Sequence, residues 1–196
     1  RLNTPVTPKL IAEVKPHTVF NAIGATPLIP RFPGVDKPFV ANSHDVLNGK
    51  VEVKGDIVVI GGGMVGMEVA EYLEERGSKV TILEMLPAIC ADLGMARKYY
   101  LDTHLPALNI TPVTEVAVTA IEDGKVVGKK GDETMEFPCD YAVLAIGSRS
   151  RDGKALEEAA YANGCGYMVI GDAGMARRAL NATREAMDAA LTFDDP

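Results

Sequence analysis

Three glycines and one carboxylate carry the clearest chemical signal in the sequence. Gly61, Gly63 and Gly66 are spaced as G-x-G-x-x-G, and Glu84 follows at roughly the 20-residue distance typical of dinucleotide-binding segments. In such a turn the first glycine permits the bend, the second lets a pyrophosphate approach the backbone, and the third lets a helix pack closely. The carboxylate accepts hydrogen bonds from the adenine-ribose hydroxyls. The predicted dinucleotide site comprises Gly61, Gly62, Gly63, Met64, Val65, Gly66 and Glu84.

The charge of Glu84 also bears on which dinucleotide would bind. A 2′-phosphate would lie against this carboxylate, and residues 85–87 (Met-Leu-Pro) supply no guanidinium to compensate. Arg97 and Lys98 stand much further along the chain. The sequence therefore favours NAD(H) over NADP(H). The glycines and the carboxylate would bind ADP equally well, so they do not distinguish an NADH site from an ADP site.

The elements around these residues form a regular βαβ pattern. The run DIVVI, at residues 56–60, is continuously apolar, as in a parallel strand that is covered on both faces. Residues 64–76 repeat apolar positions with the period of a helix, and Gly77 is a plausible C-terminal cap. The run KVTILE predicts the next strand. The glycine turn thus opens a helix whose unpaired N–H groups favour phosphate.

The remaining chain predicts further α/β structure. Alternating runs between Thr114 and Pro138 are separated by the turn signals Asp123-Gly124 and Lys130-Gly131-Asp132, which predicts an antiparallel three-stranded meander. The run YAVLAIG (141–147) returns to the buried parallel type, and a strand, a Gly-Asp turn and a long helix end the chain. We therefore expect a Rossmann-like parallel sheet with a meander.

Composition excludes several classes of function. The 196 residues include 27 acidic and 20 basic residues, a formal net charge of −7, without the basic stripe that a nucleic-acid partner would need. No apolar run reaches the roughly 20 residues that span a bilayer, so we expect no membrane partner. The three cysteines are scattered along the chain, which predicts free thiols in a reducing, cytoplasmic compartment. The three histidines are isolated from one another, so we expect no metal site.

Four stretches together resemble a known superfamily. VVIGGGMVGMEVAEYL, KVTILEML, YAVLAIGSRS and VIGDA resemble the nucleotide-binding portion of flavoproteins that bind two dinucleotides. The chain is most similar to the C-terminal region of old yellow enzyme-type NADH:flavin oxidoreductases, the group of 2,4-dienoyl-CoA reductase and 2-enoate reductase. The resemblance covers nearly the whole chain.

The resemblance implies an NAD(H)-binding domain inserted into an FAD-binding domain. Residues 1–52 would be the tail of the first FAD segment, residues 53–146 the NAD(H) domain, and residues 147–196 the return into the FAD domain. The repeated Ala-Ile-Gly would mark the two crossings, at Gly24 and at Ala145 to Gly147. This chain has Ile23 where the family usually has threonine, a change that costs one hydroxyl.

The resemblance also implies further cofactor contacts. Asp172, with its neighbours Gly171 and Ala173, matches the position that binds a flavin ribitol hydroxyl; a turn or helix-cap aspartate is the alternative. Glu68 matches a residue near the nicotinamide; a solvated helix glutamate is the alternative. The family's first fingerprint for FAD is expected upstream of residue 1, and the FMN barrel and [4Fe-4S] cluster are expected in other domains of the parent chain.

Three functions follow as hypotheses. In the first, the intact protein transfers a hydride from NADH to FAD, and electrons pass through iron–sulfur and FMN centres to an activated C=C bond, while the isolated chain is inactive. In the second, the chain is a non-catalytic module that holds an adenine nucleotide. A small regulatory Rossmann domain, the third, is disfavoured by the VIGDA stretch. A homo-oligomer is possible.

Overall fold

The computed structural model describes residues 1–91 and 94–192, without the side chains of residues 95–98 and 100. The chain forms two compact units, one from residues 27–147 and a smaller one from residues 1–26 together with the segment from Ser148 onwards. In chain order the described elements are α1 (Pro8–Val14), β1 (Thr18–Asn21), β2 (Ala25–Pro27), β3 (Val40–Asn42), α2 (Ser43–Leu47), β4 (Asp56–Ile60), α3 (Met64–Glu74), β5 (Lys79–Leu83), α4 (Met95–His104), β6 (Ile110–Val113), β7 (Ala117–Glu122), β8 (Lys125–Lys130), β9 (Glu133–Pro138), β10 (Tyr141–Leu144), β11 (Ser148–Ser150), α5 (Lys154–Ala162), β12 (Gly166–Val169) and α6 (Ala179–Leu191), with 3-10 turns at Leu105–Ala107 and Gly171–Ala173.

The larger unit contains a five-stranded parallel sheet in the order β3-β10-β4-β5-β6. Strands β7, β8 and β9 form a separate antiparallel meander whose two turns place Gly124 and Gly131 at positive φ. The α/β fold class with a parallel sheet and a three-stranded meander, predicted from the sequence, is confirmed. Strand β3, which contributes an edge of the sheet, was not predicted.

Both faces of the parallel sheet are covered, which explains the uninterrupted apolar run in β4. Ile57 and Val59 belong to a buried cluster with Met67, Ala70 and other residues of α3. Val58 and Ile60 belong to a second cluster that includes Ile121 and Val126 of the meander. Because successive side chains of a strand point to opposite faces, one strand serves both cores.

Helix α3 shows why the chain turns where it does. Its buried positions are Gly66, Met67, Val69, Ala70 and Leu73, a stripe of helical period. The helix ends at Glu74, and Gly77 follows at φ +82°, with its amide bonded to Glu74 O at 2.8 Å. Gly77 therefore ends the helix as predicted, and the chain returns directly into β5.

The smaller unit is built on two parallel strands, β1 and β12, with Ile11 of α1 and Ala160 of α5 in one buried cluster. A second two-stranded ladder joins β2 to β11. The buried Asn21 donates to Tyr167 Oη at 2.8 Å, and that hydroxyl donates to Gly153 O at 3.1 Å. This polar chain fastens β1, β12 and the start of α5 together. Helix α5 was not predicted from the sequence.

Candidate functional site

The glycine turn lies where β4 ends and α3 begins. Gly61 has φ +107°, and a Cβ there would lie 2.5 Å from Ala145 O. A Cβ on Gly66 would lie 1.9 Å from Gly61 O. Any side chain at either position would force the backbone apart, so the first and third glycines are required by the packing itself, in the manner that their spacing predicts.

Gly63 differs from its neighbours because its surroundings are open. A Cβ on Gly63 would meet no heavy atom within 4 Å, and this residue caps α3 without a side-chain hydrogen bond. The first amides of a helix have no carbonyl partner within the helix. Gly63, the half-buried Met64 and the exposed Val65 therefore present backbone amides at an accessible helix N-terminus, an arrangement that suits an anionic group.

Glu84 follows β5 directly and makes two backbone contacts. Its Oε2 accepts from Gly62 N at 2.6 Å, and its Oε1 accepts from Leu86 N at 2.8 Å. The carboxylate is half-buried, so it remains accessible to a ligand. Each carboxylate oxygen can accept more than one hydrogen bond. Glu84 can therefore hold the turn and still accept from ribose hydroxyls.

The other side of the Gly62 peptide is held by Cys90, a contact that the sequence analysis missed. Cys90 N donates to Gly62 O at 2.7 Å, and Cys90 has φ +49°, unusual for a residue with a side chain. Ile89 covers Gly62 so closely that a Cβ on the glycine would lie 2.7 Å from Ile89 Cγ2. A main-chain contact of this kind leaves no residue pattern by which it could have been found.

The sheet order places the end of β10 beside the glycine turn. Strand order reverses between β4 and β10, because β5 and β6 extend the sheet to one side of β4 and β10 lies on the other. Ala145 N donates to Ile60 O at 2.8 Å, which joins the two carboxyl ends. Parallel α/β sheets bind ligands at such a reversal. Gly147, at φ +98°, follows, and its carbonyl accepts from Leu28 N at 2.9 Å.

The other predicted contacts lie elsewhere in the chain. Glu68 is half-buried in α3. In the smaller unit, Gly24 has φ +75° and its carbonyl accepts from Arg151 N at 3.0 Å. The structure thus brings together the glycine turn, Glu84 and Ala145, and it describes Gly24 within a different unit.

Gly171, Asp172 and Ala173 form a 3-10 turn in the smaller unit after β12. Asp172 Oδ1 accepts from Arg177 N at 3.2 Å. Arg178, without a side-chain cap bond, precedes α6. Asp172 therefore lies in a turn, as the alternative to a flavin contact held, while Arg178 and not Asp172 precedes α6. The flavin contact stays a prediction.

The described ranges contain neither a cluster of metal ligands nor a membrane-spanning helix, and their cysteines are buried. Within residues 1–91 and 94–192, no group of three or more His, Cys, Asp or Glu side chains could hold a metal ion. Cys90, Cys139 and Cys165 are buried, and no disulfide joins them. Burial, and secondarily the charge of Asp140, raises the pKa of Cys139 to about 11. No helix in the same ranges is long and apolar enough to cross a membrane.

Known proteins match this arrangement over most of the chain. The model of the family described as pyridine nucleotide-disulphide oxidoreductase matches residues 9–176. An NADH oxidase of Thermoanaerobacter brockii is 40% identical over 169 residues, which cover 83% of this chain and 26% of that protein. A bilirubin reductase of Mediterraneibacter gnavus is 34% identical over 160 residues, which cover 81% of this chain and 25% of that protein.

Solved structures give the same result. A structure of 2-naphthoyl-CoA reductase in complex with 2-naphthoyl-CoA superposes with a TM-score of 0.87 at 26% identity, covering 100% of this chain and 30% of that one. The chain therefore spans about a quarter of the length of the curated relatives above. The resemblance that the four sequence stretches predicted is confirmed.

Proposed function

The chain belongs to the pyridine nucleotide-disulphide oxidoreductase family, and from that premise we propose that it is the NADH-binding, electron-input module of a flavin-dependent oxidoreductase. The larger unit binds the dinucleotide at the carboxyl ends of β4, β5 and β10. Because the relatives are much longer than this chain, the activity of the whole protein is part of the proposal.

The contact between Glu84 and Gly62 is the observation that carries the proposal. One carboxylate fixes the glycine turn and stands where adenine-ribose hydroxyls are bound in dinucleotide sites. The space beside Gly63 is open to a pyrophosphate, and the first amides of α3 point to that region. The residues present therefore fit the adenosine and pyrophosphate parts of NADH.

The same carboxylate supports NADH over NADPH. A 2′-phosphate would add negative charge close to Glu84, which already accepts two backbone N–H groups and has no cationic neighbour at Met85 to Pro87. Two negative charges in neighbouring groups repel strongly when they are partly shielded from water. The side chains of Arg97 and Lys98 lie outside the described residues.

The chemistry of the bound cofactors would be hydride transfer from nicotinamide to flavin. The residues of this chain would position the groups: the glycine turn and Glu84 would hold the adenosine half, Glu68 would contact the nicotinamide, and Asp172 with Gly171 and Ala173 would hold the flavin ribitol. Gly24, Ala145 and Gly147 form the crossings between the domains.

The parent protein, in this proposal, passes electrons on to FMN and an iron–sulfur centre in domains outside this chain and reduces an activated C=C bond. The described residues offer no cluster of metal ligands that would fit an iron–sulfur centre, so no step through such a centre is assigned to them. The FMN-barrel domain of the parent chain is then the partner of this module. The isolated chain binds NADH without turnover.

The domain boundaries remain part of the proposal. Residues 1–52 and 147–196 are assigned to the FAD domain and residues 53–146 to the NADH domain. The compact units place residues 27–52 with the larger unit. No disulfide joins the three cysteines, which supports the predicted reducing cytoplasm. That location, and a homo-oligomer, stay predictions.

Calorimetric titration of the chain with NADH, NADPH, ADP and FAD tests the proposal. We expect NADH to bind well above NADPH, with negligible FAD binding. Failure of both NADH and ADP to bind would refute a dinucleotide site. Tight FAD binding would refute the assignment of a missing flavin half.

A structural nucleotide-binding module is the second candidate. The contacts that fit a ligand best, those of Glu84 and the glycine turn, all address the adenosine half, which ADP shares with NADH. ADP that bound as tightly as NADH would favour this candidate. A Glu68→Ala variant separates the two candidates further. It should lower the affinity for NADH and leave the affinity for ADP unchanged only if Glu68 contacts the nicotinamide.

A further inference from the structure

One side chain of α6 fastens both ends of the 171–177 turn. Glu185 Oε2 accepts a hydrogen bond from Gly171 N at 2.8 Å. Glu185 Oε1 accepts from the Arg177 guanidinium. The first and last residues of the loop that carries Asp172 therefore both bind the carboxylate of Glu185.

Internal contacts close the loop further. Asp172 Oδ1 accepts from Arg177 N at 3.2 Å, and Gly171 O accepts from Gly174 N at 3.0 Å. Gly171 has φ +61°, and a Cβ there would lie 3.1 Å from Ala182 Cβ of α6. The turn is therefore seated directly on the helix that bears Glu185, and its conformation depends on that contact.

The hydrogen bond to Gly171 is the more important half of this arrangement. Gly171 is buried, so its N–H has little access to water if the acceptor is removed. The side chains of Arg177 and Glu185 are 38% and 34% exposed, and ion pairs at that exposure contribute little by themselves. Removal of the Glu185 carboxylate should thus loosen the turn through its first residue.

We propose that Glu185 is a positioning residue for the flavin: by holding Gly171 and Arg177 it presets the Asp172 turn in its binding conformation. This role rests on the proposed flavin contact of Asp172. Glu185 acts through the turn and touches no reacting atom. Neither its position, fourteen residues after Gly171, nor any motif in the sequence predicted this function.

Amide-resolved NMR on the chain tests the role with three variants. Glu185→Ala removes both contacts, whereas Glu185→Gln keeps a carbonyl that can accept from Gly171 N. Asp188→Ala is the control, since Asp188 is an exposed carboxylate of the same helix that forms no side-chain hydrogen bond to the described turn. Hydrogen exchange of the Gly171 amide reports the contact, and shifts of the Asp172 and Ala173 amides during FAD titration to millimolar concentration report weak flavin binding.

We expect Glu185→Ala to accelerate hydrogen exchange of the Gly171 amide at least tenfold. We expect the same variant to reduce the FAD-dependent shifts of the Asp172 and Ala173 amides at least tenfold. Glu185→Gln should retain most of both, and Asp188→Ala should change neither. Unchanged exchange in Glu185→Ala, or unchanged FAD shifts, would overturn the positioning role. An absence of FAD shifts in the unmodified chain would overturn the flavin assignment of the turn and this role with it, while leaving NADH binding by the larger unit untouched.

Discussion

Replacement of Glu84 by alanine is expected to destabilise the larger unit even when no nucleotide is bound. The carboxylate is the acceptor for the amide of Gly62, which is buried under Ile89. Alanine offers no acceptor, and the covered amide cannot exchange its partner for water. The second contact, to Leu86 N, lies at an exposed residue and is replaced by water at little cost.

The magnitude follows from these two contacts. Loss of the partner of one buried amide costs about 2 kcal/mol, and the exposed amide of Leu86 adds roughly nothing. For a chain of this length, about 2 kcal/mol corresponds to a fall in Tm of roughly 4–8 °C. Glu84→Gln should cost less than about 1 kcal/mol, because its carbonyl can still accept from Gly62 N.

Urea and thermal unfolding followed by circular dichroism measure the difference. Glu75→Ala serves as the matched control, since Glu75 is an exposed carboxylate just after α3 and should stay within about 0.5 kcal/mol of the unmodified chain. An unfolding free energy of Glu84→Ala equal to that of the control would show that Gly62 does not depend on this carboxylate. Calorimetry on the same samples should show NADH affinity reduced at least tenfold.

Three further outcomes follow from the geometry. Gly66→Ala should abolish or severely impair folding, because its Cβ would lie 1.9 Å from Gly61 O, whereas Gly63→Ala should fold normally and lose NADH affinity; normal stability of Gly66→Ala would contradict the close packing. Ser78→Ala should stabilise the chain by about 1 kcal/mol in urea unfolding, because Ser78 Oγ is buried without a hydrogen-bond partner; a clear loss of stability would reveal a partner. The folded chain holds the pKa of Cys139 at about 11, above its ordinary value of 9.0, so the unfolded chain ionises first and stability should fall between about pH 9 and pH 11. Cys139→Ser should reduce that slope, mainly between about pH 9 and pH 10, because burial also raises the pKa of Tyr167 and the bond to Glu136 raises the pKa of Lys125, and both add a loss of stability at higher pH. An unchanged slope in Cys139→Ser would contradict the assignment to Cys139.

Sequence reasoning found the parts of the candidate site whose residue types are dictated by sterics. Gly61 and Gly66 are required because an added Cβ would lie less than 3 Å from a backbone oxygen. Glu84 was recognised because a carboxylate directly after a parallel strand is typical of dinucleotide sites, and it contacts Gly62 N. The same reasoning missed the hydrogen bond from Cys90 N to Gly62 O, because every residue except proline can donate a backbone N–H. It missed Glu185 because the contact joins two elements whose packing no local pattern reveals.

At the level of the fold, period and turn chemistry predicted most of the elements. Helix α3 and the meander carry long, regular signals: Gly77 follows the helix, and Gly124 and Gly131 form the two turns of the meander, all three with positive φ. Strand β3 has only three residues and follows a proline-rich loop, so nothing in its own sequence distinguishes it from that loop. Helix α5 was missed as well: its nine residues lie between two short strands, and Leu156, Ala159 and Ala160, which pack in one cluster, are mostly alanine and less hydrophobic than the stripe of α3.

The place of β10 in the sheet has a consequence for how the chain is made. Strand β10 lies between β3 and β4, and these two strands meet no other partner on the sides that face it. A chain emerging from the ribosome can pair β4 with β5 and β5 with β6, yet it cannot join β3 to them until Leu144 has emerged. Closure of such a distant pairing is slow relative to local helices and hairpins. After β4 has paired with β5 and before β10 has emerged, the other edge of β4 is unpaired. Shielding of that edge by a chaperone would matter most at this stage of synthesis.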